Sequence, residues 1–237
     1  MDFECVTRTH VGLRRKINED SVLECTERGL WAVADGMGGH EAGEVASAMV
    51  VAALAALPVT DSLESDTANA VAAMVRVNQE LIELARSDMP SRTIGSTVVG
   101  LLIRDGQFRC FWAGDSRAYR VRLGMIRQLT RDHSLVQDLV QAGMITPEEA
   151  HHHPNANVIT RAVGAAETLV VETVGGEVRP GDQFLLASDG LTRVVDDAEM
   201  RDELAELDPS EAAGKLLDAV LARGAPDNVS LIITKLI

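Results

Sequence analysis

Acidic residues recur at the ends of apolar segments in this 237-residue sequence. The run at 30–34, Leu-Trp-Ala-Val-Ala, stops on Asp35 and Gly36, and the segments LLASDGL at 185–191 and FWAGDSR at 111–117 repeat the pattern. An Asp-Gly dipeptide is also a common turn, so one occurrence alone has a simple structural explanation. The recurrence is harder to explain by turns, and it suggests that the carboxylates share a chemical purpose.

Five such acidic sites are spread along the chain. Their carboxylates belong to Glu19, Asp20, Asp35, Asp115, Asp189 and Asp227. If the adjoining strands form one sandwich of sheets, these ends can meet at one rim, where clustered carboxylates repel unless a cation balances them. No cluster of His and Cys accompanies them, and ligation by oxygen alone favours Mg²⁺ or Mn²⁺ over zinc or copper. So many carboxylates exceed the needs of one ion, which favours two ions about 3.5–4 Å apart that share a water.

The residues near these acids indicate how an anionic substrate could be held. Gly36 has no side chain, which would let its carbonyl turn toward a metal, and the pair at 38–39 would leave room for a bulky anion. Arg15 precedes the Asn-Glu-Asp segment at 18–20 by three residues, and a guanidinium can grip two phosphate oxygens at once. The alternative is that Arg15 is a solvated member of the basic run at 14–16.

Other motifs of phosphate chemistry are incomplete. The segment at 38–43 has P-loop glycine spacing, but Glu44 and Val45 stand where Lys and Ser or Thr are required. No cysteine is followed six positions later by Arg, so a cysteine nucleophile is not indicated. The three histidines at 151–153 could bind a metal, although a solvated loop tip explains them better. The sequence therefore predicts a metal-activated water and no protein nucleophile.

Composition limits the partners. Lys and Arg number 22 against 36 Asp and Glu, a net charge of −14, which argues against nucleic acid or an anionic membrane surface as partner. Three cysteines without paired spacing indicate reduced thiols, and no apolar leader or membrane-spanning segment is apparent. We therefore expect a cytoplasmic protein.

The apolar patterns predict an α+β domain built mainly from strands. Helices are predicted at 43–57, 67–86 and 211–223, with Asp66 and Ser210 as N-caps of the last two. Hairpins are predicted at Asp105-Gly106 and Leu123-Gly124, each between strand-like segments. The predicted strands are 3–8, 21–24, 30–34, 96–104, 107–112, 118–121, 125–129, 169–174, 183–188 and 229–236.

No linker or repeat divides the chain, which predicts a single domain over 1–237. The polar, weakly helical segment 132–157 is predicted to lie over the surface as a flap. Consecutive strands joined by tight turns, with helices between them, favour antiparallel sheets covered by helices.

Eight motifs, in order along nearly the whole chain, resemble those of the metal-dependent type-2C (PPM) protein serine/threonine phosphatases. They are GLRRKINED (12–20), VADGMGGH (33–40), GST (95–97), GDSR (114–117), LTRDHS (129–134), NVITRAVG (157–164), SDGL (188–191) and DNVS (227–230). The resemblance implies a four-layer α-β-β-α sandwich of two antiparallel sheets flanked by helix pairs. It also implies a metal site in a cleft at one end.

The resemblance assigns metal ligands to positions of this sequence. Asp35 would bridge two Mn²⁺ or Mg²⁺ ions. Asp189 and Asp227 would complete one ion, and Glu19 and the carbonyl of Gly36 would serve the other.

Further roles follow from the same resemblance. Asp20 would act through metal-bound water, and Asp115 would help Asp189 hold a third, weaker metal. Arg15 would bind the phosphate, and the segment 132–157 would be the flap that influences substrate access.

The general acid is the point at which this sequence departs from the family pattern. Eukaryotic members have His directly after the Asp-Gly that matches 35–36, whereas this chain has Met37, as do many bacterial relatives. His40 is the nearest alternative acid, and metal-bound water is the other source of the proton. His133 and His10 are interpreted as structural.

The resemblance implies an enzyme that hydrolyses phosphoserine and phosphothreonine with a hydroxide bridging the two ions. It points to stand-alone bacterial members that oppose a Ser/Thr kinase. We therefore expect a monomer whose partners are phosphorylated Ser/Thr proteins, including a cognate kinase. The alternatives are a catalytically silent member, which should have lost a ligand, and another two-metal phosphohydrolase such as a nuclease, which should carry basic or aromatic stripes.

Overall fold

The computed structural model describes residues 1–38, 42–88 and 93–237, and these ranges contain eleven strands and seven α-helices. The strands are β1 (Phe3–His10), β2 (Asp20–Cys25), β3 (Leu30–Met37), β4 (Gly95–Ser96), β5 (Val98–Arg104), β6 (Gln107–Ala113), β7 (Arg117–Arg122), β8 (Met125–Gln128), β9 (Glu172–Glu177), β10 (Gln183–Ala187) and β11 (Val229–Leu236). The helices are α1 (Ala42–Ala55), α2 (Leu63–Asp88), α3 (Leu135–Gln141), α4 (Pro147–His151), α5 (Asp189–Thr192), α6 (Asp197–Glu206) and α7 (Pro209–Ala222).

Two antiparallel sheets form the centre of the fold. One has the order β1-β11-β10-β7-β8, and the other has the order β2-β3-β5-β6-β9, with β4 paired to β3. Strand β1 pairs with β11 over its whole length, so the two ends of the chain lie side by side. The predicted antiparallel α+β architecture is confirmed.

Three buried clusters define four layers. Trp31, Val99, Phe184 and Ile232 belong to the cluster between the two sheets. A second cluster joins α1 and α2 to the outer face of the β2-β3-β5-β6-β9 sheet, and a third joins α6 and α7 to the other sheet. Because each sheet buries both faces, its strands carry continuous apolar runs, which is why β3, β5, β10 and β11 are so apolar in sequence.

Both predicted hairpins are confirmed. Asp105 and Gly106 have φ values of 50° and 75°, and Leu123 and Gly124 have values of 53° and 72°. Two successive residues with positive φ form the tight turn whose twist matches that of paired strands.

Both predicted helix caps are wrong. Helix α2 begins earlier, and the Ser62 hydroxyl accepts the Ser65 N–H, while Asp66 lies within the helix and accepts the Thr60 hydroxyl at 2.8 Å. Helix α7 begins at Pro209, and Asp208 caps it by accepting the Ser210 and Glu211 N–H groups. In both places an earlier polar residue takes the capping position, because the apolar periodicity alone does not mark the first turn.

Other boundaries also differ from prediction. The strand predicted at 169–174 is β9, which begins at Glu172, and α6 was not predicted because its sequence is largely acidic. The weakly helical segment contains α3 and α4. Helix α4 begins with a capping box formed by Thr146 and Glu149. Within the described ranges, no helix combines the length and apolarity that crossing a bilayer requires. The three cysteines are free.

Candidate metal centre

The predicted acidic residues lie at neighbouring strand ends. Asp20 begins β2 and stands directly opposite Asp35 in the antiparallel register with β3. Asp189 follows β10 as the first residue of α5, Asp227 comes two residues before β11, and Asp115 lies in the connection between β6 and β7. The charges of Asp20, Asp189, Asp115 and Asp227 all act on Asp35, so the two sheets bring these carboxylates to one place.

The Asp35-Gly36 pair belongs to strand β3 and is not a turn. The Asp35 N–H donates to Thr97 Oγ1 at 3.1 Å, and its carbonyl accepts the Thr97 N–H at 2.8 Å. A Cβ at Gly36 would lie 2.0 Å from the carbonyl oxygen of Gly43. Close approach of the α1 backbone therefore requires glycine here, a reason the sequence did not reveal.

Glu19 is positioned by its backbone. Its N–H donates to Asn228 Oδ1 at 2.8 Å, and its carbonyl accepts the Gly36 N–H at 3.1 Å and the Ser47 hydroxyl at 2.6 Å. Its carboxylate lies against Gly43, where a Cβ would be 2.4 Å from Glu19 Oε1. Three elements, β3, α1 and the segment before β11, thus fix one carboxylate.

Burial and mutual repulsion make these carboxylates hard to ionise. Burial raises the pKa of Asp20 to about 6, and the charges of Asp227 and Glu19 act in the same direction. Burial raises the pKa of Asp115 to about 7, assisted by the charge of Asp189. Burial likewise raises the pKa of Asp35 well above its usual range, and then the neighbouring carboxylates raise it further. Such a site stabilises any cation that enters it.

Two arginines supply positive charge to the acids. Arg15 Nη2 donates to Asp227 Oδ2 at 2.7 Å, and its guanidinium also experiences the charges of Glu19 and Asp35. Arg193 contacts Asp115 at 2.9 Å and Asp189 at 3.0 Å. In the ranges that the structure describes, no three acidic, His or Cys side chains are already gathered as a closed ligand shell. Three of the acids, Asp115, Asp189 and Asp227, pair with arginine instead.

Some carboxylate oxygens at the site have no hydrogen-bond partner, and these suit hard cations. Among the residues that the structure describes, the buried carboxylate oxygens without a hydrogen-bond partner are Glu19 Oε1, Asp20 Oδ1 and Asp115 Oδ1. A buried anionic oxygen without a partner is costly, and Mg²⁺ and Mn²⁺ prefer such ligands. The donor set therefore suits a divalent cation.

A family model for Protein phosphatase 2C matches residues 13–224. The chain belongs to this family. A relative from Mycobacterium tuberculosis, the serine/threonine protein phosphatase PstP, is 39% identical over 97% of this chain, which spans only 44% of that relative's length. The serine/threonine phosphatase stp of Listeria innocua is 35% identical over 96% of this chain and 94% of its own.

Solved structures of 2C phosphatases share the fold. PppA, described as a key regulatory component of T6SS in Pseudomonas aeruginosa, superposes with a TM-score of 0.92 at 42% identity, covering 99% of this chain and 98% of its own. The catalytic domain of PstP in complex with 2 manganese ions superposes with a TM-score of 0.85 at 37% identity, covering 98% and 97%. The four-layer sandwich predicted by resemblance is thus the architecture of the 2C family and of this chain.

The histidines of this phosphatase 2C family member lie in different environments. His40 lies outside the described residues, so its prediction as general acid stays a prediction. His133 is buried, accepts the Gly114 N–H on Nδ1 at 3.0 Å and stacks on Trp112, which agrees with a structural role. His10 Nδ1 accepts the Gly12 N–H at 2.9 Å. In the 151–153 run, His153 Nδ1 accepts the Asn155 N–H at 3.1 Å.

The sequence reasoning gave no role to several residues at this site. The Ser188 hydroxyl donates to Asp20 Oδ2 at 2.9 Å, Asn228 holds the Glu19 backbone, and Arg193 bridges two carboxylates. Ser188 and Asn228 stand inside the SDGL and DNVS motifs, but neither received a role. The only signal for Arg193 was its spacing of four residues from Asp189 in a segment not predicted as a helix.

Proposed function

We propose that this chain is a metal-dependent protein serine/threonine phosphatase that hydrolyses phosphoserine and phosphothreonine in proteins. The observation that carries the proposal is the meeting of carboxylates from five separate segments, with buried unpartnered oxygens and a guanidinium beside them. Membership of the 2C family supports this chemistry.

The ligand roles are part of the proposal. Glu19, Asp35, Asp189 and Asp227 would hold two Mn²⁺ or Mg²⁺ ions. Asp35 would be the ligand common to both, and the Gly36 carbonyl would be a further ligand. When bound, two such ions would lower the pKa of a shared water and so supply the nucleophile for phosphate ester hydrolysis. The Asp20 carboxylate accepts the Ser188 hydroxyl, and it would act on the ions through a water. Two manganese ions in the PstP domain support the count.

Arg15 binds the phosphate of the substrate in this proposal. Its side chain is about half exposed and lies beside Asp227, so a substrate can reach it from solvent. A guanidinium offers paired donors to a phosphate dianion that the carboxylates would otherwise repel.

The segment 132–157 is proposed to be a flap on a single catalytic domain. Its two ends are pinned together, because the Leu135 N–H donates to the Val158 carbonyl and the Thr160 N–H donates to the His133 carbonyl. Between these bonds the chain leaves the sandwich and forms α3 and α4, which pack on one another.

The physiological role follows from the reaction. The substrates are proteins that a Ser/Thr kinase has phosphorylated. The enzyme opposes this kinase in the cytoplasm, and the kinase itself is one of its substrates. The serine/threonine phosphatase stp of Listeria innocua, which this chain matches over nearly its whole length, supports phosphorylated serine and threonine as the targets.

The test is turnover of phosphothreonine and phosphoserine peptides with and without Mn²⁺. Native protein should release phosphate only with the ion, Asp35→Asn should lose at least about a thousandfold in kcat, and Asp202→Asn should match the native rate. Arg15→Ala should raise KM more than it lowers kcat. Binding of phosphopeptide without turnover would favour a silent member, and cleavage of DNA would favour a nuclease; either result contradicts the proposal.

A further inference from the structure

Arg193 bridges two carboxylates and the flap segment. Its Nη2 donates to Asp115 Oδ2 at 2.9 Å, its Nε lies 3.0 Å from Asp189 Oδ2, and its Nη1 donates to Asn157 Oδ1. The Arg193 side chain is 34% exposed, whereas those of Asp115 and Asp189 are 5% and 13% exposed. A tethered monovalent cation therefore occupies the space between two nearly buried anions.

The same two carboxylates are the pair that the family resemblance gives to a third, weaker metal. Asp115 keeps one buried oxygen, Oδ1, without a partner, so the pair still has the capacity to hold a divalent ion. Arg193 already takes Oδ2 of each carboxylate, and a guanidinium held between the two carboxylates repels a divalent cation that enters the same space. One must displace the other.

We propose that Arg193 is the built-in occupant of the third cation site in this chain. The native protein then binds two divalent ions, and the third binds only when the guanidinium is removed. This inference rests on the proposed metal-dependent function and adds what distinguishes this chain within it.

Because Arg193 also contacts Asn157, removing the guanidinium should affect the flap segment as well as the cation site. Arg193 ties the C-terminal end of this segment to the acids through its contacts with Asn157 and Asp115. Replacing Arg193 should therefore both open the cation site and loosen residues 135–157. A divalent ion alone would not reproduce the link, because Asn157 would lose its donor.

The test counts Mn²⁺ bound per chain by equilibrium dialysis with elemental analysis, at free Mn²⁺ that saturates the native protein. The native chain should bind two ions, Arg193→Gln three, and Arg193→Gln combined with Asp115→Asn two again. Arg201→Gln is the matched control, since Arg201 pairs with its exposed neighbour Asp202, and it should bind two. Backbone hydrogen exchange in 135–157 should be at least about threefold faster in Arg193→Gln than in Arg201→Gln.

The outcomes separate this inference from the proposed function. Three ions in the native chain, or two in a folded Arg193→Gln, would overturn the inference and leave the phosphatase proposal standing, whereas no bound Mn²⁺ in the native chain would overturn both. If Arg193→Gln fails to fold, Asp115→Asn can still contradict the inference. It should still bind two ions, and a drop to one would show that Asp115 already holds a metal beside Arg193.

Discussion

At the scale of single residues, Gly43 determines where a charged neighbour can lie. A Cβ at this position would be 2.4 Å from Glu19 Oε1 and 2.8 Å from the Gly36 carbonyl carbon. We expect Gly43→Ala to displace the Glu19 carboxylate and weaken Mn²⁺ binding at least about tenfold. Calorimetric titration of the folded variant with Mn²⁺ measures this effect.

A Gly-to-Ala change at another helix position should raise stability and leave Mn²⁺ affinity unchanged, so the comparison with Gly43→Ala is informative. Ala normally stabilises a helix interior by roughly 0.5–1 kcal/mol relative to Gly. Gly214 lies in α7 with nothing within 4 Å of its Cβ position, so Gly214→Ala is the matched control. It should gain that stability and keep native Mn²⁺ affinity. Equal affinity in both variants would show that Gly43 does not position Glu19.

The sequence identified acidic residues better than it identified their partners. Asp35 and Asp189 were recognisable because a carboxylate ending an apolar run is unusual. Arg193 and Gly43 were not, since their roles depend on contacts across the fold, with Asp115 in one case and Glu19 in the other. Eight short motifs located the site, but the hydrogen bonds within it required the three-dimensional arrangement.

At the scale of elements, one ion pair anchors β10 to the end of β7. Arg122 donates from Nε to Asp182 Oδ1 at 2.6 Å and from Nη2 to Asp182 Oδ2 at 2.5 Å, and Asp182 Oδ2 also accepts the Arg179 N–H at 2.9 Å. The Asp182 side chain is only 1% exposed. We expect Asp182→Asn to lower the free energy of unfolding at pH 7 by about 1.5–3 kcal/mol, the range for hydrogen bonds to charged groups. Urea unfolding measures it.

The same pair makes a pH prediction. Burial opposes ionisation of Asp182, but the hydrogen bonds from Arg122 and Arg179 outweigh it and lower its pKa. A carboxylate with a lowered folded-state pKa stabilises the protein above its unfolded pKa of about 3.9, and this contribution is lost as pH falls through the folded value. The difference between native and Asp182→Asn protein should therefore shrink below about pH 4. A constant difference down to pH 2 would exclude this origin.

Local signals predicted some elements and could not predict others. The hairpins at 105–106 and 123–124 were readable because two-residue turns have strict residue preferences. The pairing of β1 with β11 joins residues more than 200 positions apart, and no local pattern encodes it. Helix α6 was missed because its acidic sequence shows little apolar periodicity, although Met200 and Leu204 are buried against the β1-β11-β10-β7-β8 sheet.

At the scale of the whole molecule, the acidic site lowers the stability of the metal-free fold. The chain has a net charge of −14, and some of the carboxylates that contribute to this charge are buried at the site, among them Asp20 and Asp115. Burial raises the pKa of Asp20 to about 6 and that of Asp115 to about 7. In metal-free protein, each of these groups therefore holds its proton more tightly when folded than when unfolded.

The sign of the resulting pH dependence is unusual. Because the folded state binds more protons between about pH 4 and pH 7, metal-free stability should fall as pH rises through this window. We expect protein in chelator to lose at least about 1 kcal/mol of unfolding free energy between pH 5 and pH 7.5, roughly the value of one pKa unit. With saturating Mn²⁺ the trend should reverse, since cations bind the ionised carboxylates.

Urea unfolding at both pH values, with and without the ion, measures the four free energies of unfolding. Asp115→Asn in chelator should lose less unfolding free energy between the two pH values than native protein. If metal-free native protein were more stable at pH 7.5 than at pH 5, these carboxylates would have to be ionised without cost, and the clustering at the rim could not supply the driving force for metal binding.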